Sequence, residues 1–182
     1  MKSRQKFDIN SKDVKSEETT ALHKASGIGH LEVVKFLIEN RALVDAKDGS
    51  GMTPLMAADR LEVIKCLIEN GADIHVKSNQ GLTCLHYAII PGEYEIVKFL
   101  IENGANVNER GINEMNGTTA LQLAVQQGHL DIVKLLIENA AKLDGHTECR
   151  IAIIKGYHKI GEYLIGKKRE LDSEIPEEKI TK

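Results

Sequence analysis

The chain has 182 residues, 42% hydrophobic and 28% charged, with a net charge of -3 and a pI near 6.2. That is enough chain to bury a core, and its slight acidity gives no push toward nucleic acid or anionic membranes, which reward a basic surface. Apolar runs such as "IAII" (residues 151–154) are too short to span a bilayer, and the opening twenty residues lack the apolar stretch of a secretory signal.

In chain order, the first helix signal is "TALH" at Thr20, followed by the small residues Ala25 and Ser26 and the turn "GIGH". Threonine is a good N-cap, and glycine frees φ for a turn. The helix "LEVVKFLIEN" (residues 31–40) comes next. Its polar residues Glu32, Lys35 and Glu39 fall within about 60° of one another at 100° per residue. A narrow polar stripe therefore faces water, and the helix is expected to be buried on its other sides. A polar segment, "VDAKDGSGMT", leads to Thr53, and the cycle starts again.

The second cycle reads "TPLM" at Thr53, with Pro54 at the first helical position, then "LEVIKCLIEN" (residues 61–70). The third reads "TCLH" at Thr83 and "YEIVKFLIEN" (residues 94–103); the fourth reads "TALQ" at Thr119 and "LDIVKLLIEN" (residues 130–139). Each acid–lysine–acid stripe allows i,i+3 and i,i+4 pairs worth about 0.2–0.5 kcal/mol each. "ENGA" closes the long helix at Gly71 and Gly104 and fits a left-handed cap; Arg41 and Ala140 occupy that slot in the other copies. Gly51 and Gly81 mark turns before the next threonine. One such helix pair cannot hide its apolar surface, but four in series can if they stack.

Thr-Pro-Leu-His, small residues, Gly-His, a Val-Val-Lys-Leu-Leu-type helix and Asn-Gly-Ala, recurring near every 33 residues, together resemble the ankyrin repeat, from about Thr20 to Gly166. The resemblance implies an all-α ankyrin-repeat solenoid of stacked helix–turn–helix units joined by hairpin loops. The expected repeats are about 20–50, 51–80, 81–116, 117–145 and 146–166, with a charged, flexible tail at 167–182. Residues 1–19, with "FDINSKD" (residues 7–13), resemble the hairpin tail of a preceding repeat. The threonine steps are 33, 30 and 36 residues: repeat two lacks the Gly-His turn, and the third linker is three residues longer. The fifth unit is read as starting at Thr147, with Gly156 as its turn and a degenerate capping sequence.

Little else in the chain suggests chemistry. His23 and His86 stand three residues after capping threonines, where the family uses histidine in a hydrogen-bond network between repeats. No HExxH or Cys/His cluster suggests zinc. The Gly161–Gly166–Lys167 spacing mimics a phosphate loop, but Lys168 replaces the required Ser/Thr and no strand precedes it. Cys66, Cys84 and Cys149 lack CxxC spacing and read as reduced thiols in a cytosol-like compartment. Cys84, at the first turn of a helix, is where a thiol pKa can fall, although no base lies near it in sequence. No cofactor, metal or catalytic residue is expected.

The resemblance implies a protein–protein interaction module, a scaffold, adaptor or inhibitor, binding through a concave face and hairpin tips. It is expected to be monomeric and cytoplasmic, with nuclear residence compatible. Two alternatives remain: a regulatory fragment of a longer enzyme or channel, and a host-directed effector of an intracellular microbe. The positions the repeat leaves free are Lys47, Ser50, Met52, Lys77, Asn79, Gln80, Leu82, Tyr87, Ile90, Glu109, Arg110, Met115, Gln126 and Gln127. Met52, Leu82, Ile90 and Met115 are apolar where polar residues would serve. Either they pack under neighbouring hairpins, or they form one patch with Tyr87 as its anchor. In this family hairpin asparagines are sometimes hydroxylated, and Asn108 is the well-placed candidate.

Overall fold

The computed structural model describes residues 8–15, 17–111 and 117–173. Its helices come in pairs: α1 (Ala21–Ile28) with α2 (Leu31–Glu39), α3 (Pro54–Ala57) with α4 (Leu61–Glu69), and α5 (Cys84–Ile89) with α6 (Tyr94–Glu102). Then come α7 (Ala120–Gln127) with α8 (Leu130–Glu138), and α9 (His146–Lys155) with α10 (His158–Ser173). The first helices of the pairs pack on one another in one row, and the second helices form a parallel row behind. The first row is the more closely packed. The result is an all-α solenoid, with no strand among the described residues.

The core is a ladder of equivalent positions. Leu22, Leu55, Leu85 and Leu121 are buried in the first row; Val34, Ile64, Val97 and Val133 are buried in the second, with Leu37, Leu67, Leu100 and Leu136. Capping threonines 20, 53, 83 and 119 all adopt extended backbone, as the N-cap role requires. The His23 Nδ1 lies 2.9 Å from the Thr20 hydroxyl and His86 Nδ1 3.0 Å from that of Thr83. Gln122 plays the same part for Thr119. Met56 cannot, and the buried Thr53 hydroxyl has no hydrogen-bond partner among the described residues.

The end of each long helix is fixed twice. The side chains of Asn40, Asn70, Asn103 and Asn139 donate to the carbonyls of Phe36, Cys66, Phe99 and Leu135 at 2.8–2.9 Å. The next residue is left-handed in all four copies: Gly71 and Gly104 have φ +88° and +92°, and Arg41 and Ala140 have +67° and +62°. A side chain there is strained, so Arg41→Gly and Ala140→Gly should each stabilise the fold, by up to about 1 kcal/mol. Urea denaturation of the two variants measures this; destabilisation by both would contradict it.

Four features depart from the sequence reading. The outer stripe forms an ion pair in repeat one, Lys35 to Glu32 at 3.0 Å, but Lys65 and Lys134 instead lie over the Phe99 and Tyr163 rings of the following repeat, at 5.5 and 5.8 Å. In α2 the water-facing surface is wider than a stripe. Val33 is 46% and Phe36 60% exposed, while their equivalents Val63, Cys66, Ile96 and Ile132 are buried by the preceding repeat. In the fifth unit, Gly145 rather than Thr147 caps α9, and its backbone N–H donates to Glu148 at 3.1 Å. Past Gly166, α10 runs on to Ser173, helped by Lys167–Glu170 and Lys168–Asp172 pairs.

Candidate functional site

The hairpin tips are built locally and then tied to one another. Asp48 Oδ1 accepts from the backbone of Ser50 and Met52, both at 2.9 Å, and Gly51 takes φ +74° to close the turn. Ser78 repeats the device for Leu82 at 3.3 Å. Across the tips, the Asn79 backbone N–H donates to the Ser50 carbonyl at 2.9 Å, and its side chain donates to Gly49 at 3.1 Å. Lys47 Nζ donates to the Lys77 carbonyl at 3.2 Å, and Lys77 forms an ion pair with Glu109. That partner, with a further hydrogen bond from Asn106, holds the Glu109 carboxyl below its ordinary range.

Lys47, Lys77, Asn79 and Glu109 are thus engaged in joining repeats. Asn108 is engaged in the same way: its side chain donates to the Ala140 carbonyl at 3.0 Å and accepts from the Lys142 backbone at 2.8 Å. Ser50 is exposed at its tip, and Met52 is half-buried with its carbonyl 3.0 Å from His23 Nε2. Arg110 and Gln127 are exposed. Met115 lies outside the described residues.

The expected patch divides into two. Gln80, Leu82, Ile90 and Gln126 do come together, around a groove of about 360 Å³ closed by Gly111, Thr118 and Leu123. It lies on the first-helix side, below the tips of repeats three and four. Leu82 packs so closely on Gly111 that a Cβ there would stand 2.6 Å from its Cδ2. Tyr87 does not join this groove. Its hydroxyl donates to Ser78 Oγ at 3.3 Å, and its ring lines a separate cleft toward repeat two. Ile90, 45% exposed, borders both. The sequence reading missed Leu123 and Thr118. The repeat itself carries the signal for both, since Leu123 stands where Tyr87 does, and Thr118 where Met52 and Leu82 do.

The candidate chemical groups act as scaffold. His23 bridges repeats through the Met52 carbonyl, and the fully buried His86 has a lowered pKa because burial disfavours its charged form. Cys84 is buried, with its thiol donating to the Ile74 carbonyl at 3.4 Å, and burial pushes it up to about 12. The helix terminus does not activate it, because desolvation of a thiolate there outweighs the short helix's dipole. Burial raises Cys66 and Cys149 as well. Among the described residues no group of His, Cys, Asp and Glu could hold a metal ion, and no helix is long and apolar enough to cross a membrane.

Comparison with protein-family models returns two matches. One, described as ankyrin repeats (3 copies), covers residues 3–78; another, ankyrin repeats (many copies), covers residues 85–137. The first match begins upstream of Thr20 and takes in the segment whose Asn10 accepts from Leu43 N–H at 2.8 Å, the same link that Asn108 makes to Lys142.

Proposed function

The chain belongs to the ankyrin-repeat family, whose repeats are generally protein–protein interaction modules, and on that premise we propose that it binds a partner protein in the groove on the first-helix side of repeats three and four. The observation that carries this reading is the lining of that groove. Leu82, Ile90 and Leu123 give it an apolar floor, and Gln80, Gln126 and Thr118 stand at its edge. An apolar floor buries a partner side chain, and amide groups can donate to and accept from a partner's backbone without the desolvation cost of charge. The stacked tips hold the backbone beneath Leu82 in place, so the apolar floor needs little ordering on binding. The protein acts as a monomer in the cytoplasm, where its three free cysteines remain reduced.

The test is the double substitution Gln80→Glu with Gln126→Glu. Both residues are exposed, so melting should move little. The wild-type chain is used to capture and identify a partner, and the affinity of that purified partner for wild type and variant is then measured by calorimetry. A loss of about tenfold or more with melting retained is the expected result. Undiminished affinity in the folded variant overturns the groove as the site.

A further inference from the structure

At the end of the repeats away from the hairpin tips, the turns form a ladder of their own. Gly29, Gly92 and Gly128 have φ +78°, +82° and +82°. The residue that opens the next repeat's long helix lies across each. A Cβ on Gly29 would meet Arg60 Cγ at 2.5 Å; on Gly92, the His129 ring at 2.5 Å; on Gly128, the Tyr157 ring at 2.8 Å. Glu93 is the corresponding residue of repeat three, and its rung is missing. Repeat two has lost its turn: α3 ends at Ala57, and Ala58 is extended at φ -72°, ψ 131°.

The lost turn leaves a notch of about 760 Å³ between the α3–α4 connection and the α5–α6 turn. Met56, Tyr87, Ile90 and Pro91 contribute its apolar lining. Asp59, Glu62, Glu93 and Glu95 surround it, against the single cation Arg60. Glu62 and Glu95 are first-turn acids, like Glu32 and Asp131 in the other repeats, and complement the helix dipole. Asp59 and Glu93 are particular to this place. Asp59 stands 3.8 Å from Arg60 Nε, which leaves that cation matched. The side chains of Glu62, Glu93 and Glu95 make no ion pair or hydrogen bond among the described residues.

We propose that this notch is a second docking site, and that it takes an extended segment of a partner protein in which apolar side chains are flanked by lysine or arginine. The apolar lining buries the former, and the unmatched carboxylates attract the latter while repelling an acidic segment. The inference shares the premise that these repeats bind protein, but it does not depend on the groove below the tips.

The probes are two hexapeptides, each with two central leucines, one flanked by lysine and arginine and the other by glutamate and aspartate. Binding is followed by amide shifts of the isotope-labelled full chain. The basic peptide should shift Ala58, Asp59 and Glu93, and added salt should weaken it; the acidic peptide should leave them in place. Glu93→Lys with Glu95→Lys, both exposed, should lower melting only by the lost interaction of Glu95 with the α6 dipole and weaken the basic peptide about tenfold or more. Inserting Gln-Gln-Gly between Asp59 and Arg60, which restores a turn like residues 126–128, should abolish binding. Absence of binding, equal binding of both peptides, shifts centred elsewhere, or full affinity in the folded lysine variant overturns the notch. Neither Gln126→Glu nor failure of the groove below the tips should affect the peptide, so the two sites fail separately.

Discussion

Leu100→Ala is expected to destabilise the protein by about 2–5 kcal/mol, the range for a buried leucine truncated in a core that cannot collapse onto the void. Leu100 is 1% exposed in α6, at the centre of the second row, and its equivalents Leu67 and Leu136 are also fully buried. A domain of this size has a total stability of about 5–15 kcal/mol, so the loss is severe. Its consequence is particular to a stack. In a solenoid each repeat is held by its own packing and by its two neighbours, so a defect in the middle weakens both interfaces at once. Repeat two, on one side, already has a shortened α3 and a buried Thr53 hydroxyl without a hydrogen-bond partner among the described residues. Urea unfolding followed by circular dichroism should show a lower midpoint and a shallower slope, as the halves uncouple. Leu37→Ala, near the end of the stack, should cost less. A midpoint unchanged in Leu100→Ala would refute this description of the core.

The helices were legible in the sequence because burial imposes a period on them. An apolar residue every three or four positions, a threonine before each first helix and an asparagine after each second one mark pairs that the structure contains. Even the strain at Arg41 and Ala140 was legible, because they stand where glycine does in the other copies. The open face of α2 was harder to read: Val33 and Phe36 have buried equivalents, and their exposure depends on what lies beside them. Contacts between hairpins were illegible for a related reason. Lys47, Lys77, Asn79 and Glu109 looked free, but each meets a partner about thirty residues away. That pairing depends on how tightly successive tips stack. Tyr87 stands apart from the groove around Leu82, because the lost turn of repeat two opens a second cleft that it lines. Leu123 and Thr118 were recoverable by comparing each repeat position by position.

The stacking of the tips sets the second large expected effect, Gly51→Ala compared with Gly71→Ala. Both glycines are left-handed, with φ +74° and +88°. Backbone strain alone therefore penalises both alanines, by about 1–2 kcal/mol. Their surroundings differ. Nothing lies within 4 Å of a Cβ at Gly71, whereas one at Gly51 would stand 2.4 Å from Asn79 Oδ1 and 2.8 Å from the Asn79 backbone nitrogen. The side chain could turn aside, but that nitrogen is held by its bond to the Ser50 carbonyl. Relief of the clash requires the second tip to move off the first. Overpacking of that kind adds about 1–3 kcal/mol, so Gly51→Ala should cost about 2–5 kcal/mol in all. Gly71→Ala should remain near the strain alone. Hydrogen exchange distinguishes the two: amide protection at Asn79 should fall in Gly51→Ala and persist in Gly71→Ala. Equal destabilisation by the two alanines, with Asn79 still protected, would mean that the tips give way easily, and the preorganised groove below them would lose its support.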